Sequence, residues 1–583
     1  MKNLLLLLFL FLLLSCSHKP YETKPNIIII LTDDQGWGDL SCNGNTNIKT
    51  PNIDKLAETG VTFDRFYVCA VCSPTRAELL TGRYHVRSGV WSTGAGGERM
   101  DLDETTLAEV FKNAGYTTAA YGKWHNGMQA PYHPNSRGFD DFYGFCSGHW
   151  GNYFSPMLEH NGEIVTGNGF IIDDFTQKGL NFIEENKDQP FLLYLPFNTP
   201  HSPMQVPDRF WEKYKNKNLE MFNRNKEKED TLFTKAALAM CENIDWNVGR
   251  IAQKLEELEL TENTIILYLS DNGPNSVRWN GNMKGKKGST DEGGVRSPLI
   301  MKWKGNFSPG KEISEIASGI DLLPTLAELA GINMDIKNPL DGISLKPLLM
   351  DDATEWKDRI IYNYWGGRLS LRSQKFRLDH ENKLFDMEND PEQYFDVSEK
   401  YPNEYQELLI AKTNWQKNVA SELDINADRP FPIGHPSVFQ TQLPARDAIA
   451  TGNIKRSNRW PNSSFLLNWT STEDKITFDA EVLNSGNYEV ELFYTCPEEQ
   501  IGSTIKLSFN EAVLEFKIDE AFNSPLLDNM DIYPRAEGYV KQFKRKKVGN
   551  IYLEKGKGLL TMQATFIPGS EAMDFRLVLL RKI

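Results

Sequence analysis

Ile27-Ile28-Ile29-Ile30-Leu31-Thr32 runs straight into Asp33-Asp34-Gln35-Gly36-Trp37-Gly38. A short, unbroken β-branched run that ends in acids and glycines predicts a strand buried on both faces. Three further strand-like runs also end in polar groups. Tyr116 to Tyr121 leads to Gly122-Lys123-Trp124-His125, Phe191 to Phe197 leads to Asn198-Thr199-Pro200-His201, and Thr264 to Ser270 leads to Asp271-Asn272-Gly273. Helical patterns lie between them: Thr50 to Ala57, Thr105 to Ala114, Ile172 to Asn186 and Lys235 to Leu258. Such alternation predicts an α/β domain, a mostly parallel sheet sandwiched by helices. Ligands bind these sheets beyond the carboxyl ends of the strands. That rule gathers Asp33, Asp34, Lys123, His125, His201, Asp271 and Asn272 at one rim.

Cys72-Ser73-Pro74-Thr75-Arg76 opens a further helix, which Gly82 can close. Pro74 suits a first turn, where a missing N–H costs nothing. Cys72 then stands at a helix N-terminus, where free N–H groups and the dipole favour anions. Arg76 falls on the same helical face. A reactive group beside such an end and a guanidinium suits sulfate or phosphate ester chemistry.

This stretch matches the signature Cys-x-Pro-x-Arg, and Leu80-Thr81-Gly82-Arg83 matches its extension. Gly122 to His125 and Lys287-Gly288-Ser289-Thr290-Asp291-Glu292-Gly293-Gly294 extend the match. The chain resembles the type I, formylglycine-dependent sulfatases of the alkaline phosphatase superfamily, bacterial polysaccharide sulfatases among them. The resemblance implies an alkaline-phosphatase-like fold and a sulfuric ester hydrolase. It implies that a formylglycine-generating maturation enzyme oxidises Cys72 to 3-oxoalanine, whose hydrate is the nucleophile. It makes Asp33, Asp34, Asp271 and Asn272 ligands of Ca²⁺, with the oxidised Cys72 side chain completing the shell. Hard oxygens agree with Ca²⁺ or Mg²⁺ and argue against zinc. Carried over in the same way, Asp271 accepts the nucleophile's proton and His201 protonates the leaving oxygen. Lys123 and Lys287 stabilise the sulfuryl oxygens, and Arg76 holds the hydrate. His125 is the base that deprotonates the hydroxyl left on the covalent sulfate, releasing sulfate and restoring the aldehyde.

The chain has 583 residues and a net charge of −15, which argues against nucleic acid as a partner. Any anion site must therefore be built from a few clustered cations. Residues 1–16 read as a leader. Lys2 precedes the apolar run Leu4 to Leu14, too short to span a bilayer, and Leu13-Leu14-Ser15-Cys16 resembles a bacterial lipobox. Cys16 is then the lipidated first residue of an exported protein held at the outer membrane of a Gram-negative bacterium. Cys42 and Cys69 are a candidate disulfide pair, which sequence alone does not establish.

The expected organisation is a catalytic domain over 25–350, a smaller antiparallel α+β subdomain over 351–425, a linker over 426–463 and a β-sandwich or jelly-roll-like module over 464–583. The last shows a two-residue period in Ile476 to Ala480, Tyr488 to Tyr494, Ile505 to Phe509, Leu559 to Phe566 and Phe575 to Leu580. It resembles carbohydrate-binding accessory modules, with packing against the catalytic domain as an equal alternative. Loops around the rim, Cys146 to Tyr153 and Arg278-Trp279 among them, are expected to set specificity, with His149 and Trp150 as sugar contacts or, equally, as buried packing residues. Leader, sulfatase motif and β-rich appendage together suggest a sulfated polysaccharide. Algal chains such as ulvan or carrageenan are favoured over glycosaminoglycans. Two other readings stay open at this point: a phosphonate or phosphodiester hydrolase of the same superfamily, and an inactive glycan-binding lipoprotein.

Overall fold

The computed structural model describes residues 24–352 and 356–583; the leader and Cys16 lie outside the described residues. The α/β domain is built on strands β1 (Asn26–Asp33), β2 (Val61–Tyr67), β3 (Thr117–Lys123), β4 (Asp141–Phe145), β5 (Met157–His160), β6 (Glu163–Thr166), β7 (Phe191–Pro200), β8 (Thr264–Ser270), β9 (Arg296–Trp303), β10 (Lys311–Ile313) and β11 (Ala317–Ser318). They form one sheet in the order β10-β2-β9-β8-β1-β7-β3-β4-β5-β6, with β11 beside β2. The centre from β8 through β1, β7 and β3 to β4 is parallel. Antiparallel pairs close both sides, β9 against β8 and β5 against β4.

Helices α1 (Pro51–Thr59), α2 (Cys72–Thr81), α3 (Leu107–Asn113), α4 (Ile171–Glu185), α5 (Asp208–Tyr214), α6 (Thr231–Glu257) and α7 (Leu322–Leu329) cover the sheet. Strand β1 is buried along its whole length because alternate side chains serve two cores. Ile27, Ile29 and Leu31 pack with Leu80, Phe111 and Leu326 of α2, α3 and α7. Ile28 and Ile30 pack with Ile53, Phe175, Phe210 and Ile244 of α1, α4, α5 and α6. That is why the run is continuous and not alternating.

A four-stranded antiparallel sheet, Ile361–Trp365, Arg368–Arg372, Phe376–Leu378 and Leu384–Asp386, carries the helix Pro402–Asn418. Glu292 ties it to the main domain, accepting from Tyr67 Oη at 2.8 Å and from Arg377 Nε at 3.0 Å.

The C-terminal part is a sandwich of two six-stranded sheets. All five strands expected from the two-residue period are present, as Lys475–Val482, Gly486–Thr495, Thr504–Phe509, Gly556–Phe566 and Asp574–Lys582. The segment 426–463, expected as a linker, departs from that expectation. It supplies the edge strands Phe431–Ile433, Gln440–Pro444, Ile449–Thr451 and Lys455–Arg456 to the two sheets. These strands are too short for a period to register, and each is held by pairing with a longer strand or its neighbour, such as Gln440–Pro444 with Asp574–Lys582. Cys42 and Cys69 are free, so the candidate pair does not form.

The sandwich is docked on the α/β domain through buried polar contacts. Arg446 Nη2 meets Glu98 Oε1 at 2.7 Å, with both side chains 1% exposed. Gln205 Nε2 donates to Asp531 Oδ1 at 2.7 Å, and Arg535 Nη1 donates to the Gly151 carbonyl at 2.6 Å. Ile532 and Tyr533 rest against the core beneath α4 to α6. Breaking a buried ion pair from one side leaves an uncompensated charge. Arg446→Ala, which strands Glu98, is therefore expected to destabilise the chain by about 3–5 kcal/mol. Chemical denaturation followed by tryptophan fluorescence reads this as an early loss of the sandwich contact.

Candidate active site

Register brings the site together. Thr32 of β1 lies opposite Ser270 of β8, so Asp33 and Asp271 leave neighbouring strands side by side. The Asp271 N–H closes the step on the Thr32 carbonyl at 3.0 Å. On the other flank Asp33 lies opposite Pro200, the last residue of β7, and His201 follows. Next comes β3, which ends at Lys123. Helix α2 points its first residue, Cys72, at this rim, and Gly82 ends it at φ 68, a left-handed conformation suited to glycine. Thr75 Oγ1 pins the helix by donating to the Asp271 carbonyl at 2.6 Å. Ligand atoms of Asp33, Cys72 and Asp271 lie within 4.8 Å of one another, as do those of Asp33, Asp34 and His201.

Every carboxylate here has a cation. Lys123 Nζ donates to Asp33 Oδ2 at 2.7 Å, and Lys287 Nζ lies 2.6 Å from Asp34 Oδ1. Arg76 bridges, Nη2 to Asp271 Oδ2 at 2.8 Å and Nη1 to the Lys123 carbonyl at 2.7 Å. Burial pulls both Asp33 and Asp34 upward, but the cations win. Lys123 is the main one for Asp33 and Lys287 for Asp34, and both carboxyls stay below the usual range. Asp271 goes the other way: burial and the neighbouring Asp33 push it well above that range, and Arg76 only partly opposes them.

These contacts leave Asp33 Oδ1, Asp34 Oδ2 and Asn272 Oδ1 buried without a hydrogen-bond partner. Buried polar atoms are almost always satisfied, so a converging set of orphans points to a missing partner. Asn272 Nδ2 already donates to Asp34 Oδ1 at 2.9 Å, which turns its oxygen free. Carboxylates plus one amide, all hard oxygens, fit Ca²⁺ or Mg²⁺. The residues present therefore fit a divalent cation.

Each of the two histidines is held by a backbone carbonyl, through opposite ring nitrogens. His125 Nε2 reaches the Thr93 carbonyl at 3.0 Å, so Nε2 carries the proton and the buried Nδ1 is left unpartnered. Burial and Lys123 push His125 well below its ordinary value, so it is neutral. Were the chain to stay extended past β3, Lys123 and His125 would project on one side, but it does not. His125 has φ 67, beyond the end of β3, and the left-handed turn re-aims its ring. His201 Nδ1 lies 2.7 Å from the Ser202 carbonyl, which leaves Nε2 facing Asp34 Oδ2 at 3.6 Å.

The rim loops sort into packing and site-facing residues. Arg278 does not face a ligand: it is buried, with Nη2 on Asp39 Oδ2 at 2.6 Å. Trp150 stacks on Phe145 at 5.0 Å between ring centroids. His149 does reach the site, its ring 5.6 Å from that of His201, and burial pushes it down to about 3. Sequence reasoning missed Thr93, Ser202, Asn462 and Glu537. Asn462 Nδ2 donates at 3.1 Å to the same Thr93 carbonyl that takes His125. Ser202 Oγ donates to Glu537 Oε2 at 2.7 Å. Asn462 and Glu537 come from the sandwich, in stretches with no motif or period.

Two family models match the chain, "Sulfatase" over residues 25–332 and "N-sulphoglucosamine sulphohydrolase, C-terminal" over residues 286–424. The N-acetylgalactosamine-6-sulfatase of Mus musculus is 32% identical over 381 residues, covering 59% of this chain and 69% of the relative. An uncharacterized sulfatase of Escherichia coli K12, YdeN, is 34% identical over 390 residues, covering 57% of this chain and 67% of the relative. Among solved structures, Ps i-CgsB in complex with k-i-k-neocarrahexaose is 32% identical with a TM-score of 0.63, covering 70% of this chain and 96% of that one. With its sheet, its Cys72 helix and its charged rim in place, the chain belongs to the sulfatase family, and it is a sulfuric ester hydrolase.

Proposed function

We propose that this chain removes sulfate esters from a sulfated polysaccharide, using a formylglycine made from Cys72 and a Ca²⁺ ion held by Asp33, Asp34, Asp271 and Asn272. One observation carries the reading: unpartnered hard oxygens converge beside Cys72, ringed by Lys123, Lys287 and Arg76. When in place, the formylglycine hydrate supplies a nucleophile and the cation supplies the charge that acidifies it.

The chain's own residues do the rest. Lys123 and Lys287 present two ammonium groups to the sulfuryl oxygens; both are preorganised by carboxylates and pay little to reorganise. Arg76 is fixed at both ends of its guanidinium and holds the start of α2 against Asp271. As the acid, His201 is the imidazolium: its Nδ1–H stays on the Ser202 carbonyl, and its Nε2–H is given to the leaving oxygen as the S–O bond breaks. His125 is neutral with Nδ1 free, the form a base needs to take a proton from the side chain at position 72.

The neocarrahexaose held by the solved relative supports an algal galactan as substrate, and the mouse relative's name supports a sulfated sugar more generally. The reading places the enzyme outside the cytoplasm, on a lipid at Cys16 in the outer membrane, after conversion of Cys72 by a maturation enzyme.

Two measurements test this. Peptide mass spectrometry on protein made with a formylglycine-generating enzyme is expected to find the Cys72 peptide about 18 Da lighter. That protein should desulfate carrageenan oligosaccharides faster than ulvan or glycosaminoglycan oligosaccharides or an aryl phosphonate, and Cys72→Ala should have no measurable turnover. An active protein with an unmodified thiol would overturn the mechanism. Separately, Ca²⁺ added to chelator-stripped protein is expected to raise the thermal midpoint in a concentration-dependent way. Asp34→Asn and Asn272→Ala should lose most of that shift, and an unchanged wild-type midpoint would refute the metal site.

A further inference from the structure

Glu537 lies on an irregular stretch between the sandwich strands Ala512–Lys517 and Lys544–Leu553, far in sequence from any sulfatase motif. It nevertheless forms part of the active-site wall. Ligand atoms of Glu537, His149 and His201 lie within 4.8 Å of one another. Its Oε2 accepts from Ser202 Oγ at 2.7 Å. Ser202 is also the residue whose main-chain carbonyl takes His201 Nδ1, again at 2.7 Å. Tyr153 Oη donates to that carbonyl at 2.9 Å. The stretch that delivers Glu537 is itself braced. Arg535 bonds the Gly151 carbonyl at 2.6 Å and Asp531 Oδ2 at 2.6 Å, and Asn458 Nδ2 bonds the Ala536 carbonyl at 3.2 Å. Burial pushes His149 down to about 3, so that ring is neutral beside the Glu537 carboxylate.

We propose that Glu537 is a positioning residue contributed by the C-terminal sandwich: it fixes Ser202 and so aims His201 Nε2 at the leaving oxygen. The inference rests on the assignment of His201 as the acid. A hydroxyl-to-carboxylate bond is a strong, directional tether. Groups that orient a catalytic side chain matter because small misplacements are costly, up to about 10²-fold for an ångström. Without the tether the Ser202 side chain is released, and the carbonyl that orients His201 is left to its contacts with Tyr153 and His149.

This role has a signature that loss of folding lacks. In the step at issue the nucleophilic oxygen at position 72 would bond to sulfur as the S–O ester bond breaks, the electron pair of that bond goes to the leaving oxygen, and the imidazolium of His201 gives its Nε2 proton to that oxygen while Nδ1–H stays on Ser202. The more basic the leaving group, the more the step needs the proton. A misaimed acid therefore slows phenyl sulfate more than 4-nitrophenyl sulfate, whereas a loss of folded enzyme slows both alike.

The test uses the full chain bearing formylglycine, with kcat and KM measured for both aryl sulfates. Glu537→Ala is expected to widen the kcat ratio of 4-nitrophenyl to phenyl sulfate about ten-fold, with KM little changed. Glu537→Gln keeps an acceptor for Ser202 Oγ and should restore most of the wild-type ratio. Ser202→Ala removes the same bond from its other end, should reproduce Glu537→Ala, and should add little to it in the double variant. Equal losses on both substrates, or none, would overturn the inference. His201→Ala is the reference. If it widens the ratio and Glu537→Ala does not, only the role of Glu537 falls. If His201→Ala leaves the ratio unchanged, the acid assignment falls and takes this inference with it.

Discussion

Two ionised carboxylates buried side by side at the end of the central strand set the terms for everything around them. Asp33 and Asp34 are each 1% exposed. A buried charge carries a desolvation cost of several kcal/mol unless it is paired and hydrogen-bonded. In a chain of net charge −15 the pairing cations must be brought in deliberately. Lys123 comes from the strand two places along the sheet, Lys287 from a glycine-rich loop and Arg76 from the helix behind. The backbone bends to suit. Asp34 adopts φ 68, a left-handed conformation that Asp tolerates at some cost, and the turn carries its carboxylate beside that of Asp33. Such strain is kept where the surrounding contacts over-determine it, and here they do.

The polar network extends into a part of the chain that the family models do not cover. The models end at residue 424, yet Arg446, Asn462, Asp531, Arg535 and Glu537 all bond to the α/β domain. Each contact is buried or half-buried, and each satisfies a polar group that would otherwise face the domain boundary. A free-standing binding module on a tether would need none of them. The sandwich is therefore a wall of the same molecule, and its loops reach the carbonyl of Thr93 and the hydroxyl of Ser202.

What the sequence disclosed follows from which interactions are local. The isoleucine run of β1 was legible because it serves two cores at once, and only a doubly covered strand demands that composition. Asp33, Lys123, His201 and Asp271 were legible because a parallel sheet sends strand ends to one rim whatever the spacing in sequence. The turn at His125 was not, since a left-handed residue after Trp124 leaves no compositional mark when the residue is not glycine. The edge strands within 426–463 were missed because two to five residues held by a neighbouring strand need no period of their own. Arg278 was expected on a rim loop that sets specificity. Its burial against Asp39 is a long-range fact that no local window contains.

The opposed orientations of the two histidine rings come from the same kind of non-local constraint. Each ring is fixed by one backbone carbonyl, Thr93 for His125 and Ser202 for His201. A carbonyl can only accept, so it engages one N–H of each ring and decides which nitrogen faces the reaction. The ring then needs no titration partner to be oriented; it needs a carbonyl that does not move. Thr93 is held by Asn462 and Ser202 by Glu537, and both holders come from the sandwich. The fold thus separates two tasks. The α/β rim supplies the charges that act on sulfate, while the docked β domain steadies the peptide groups that decide where protons are given and taken.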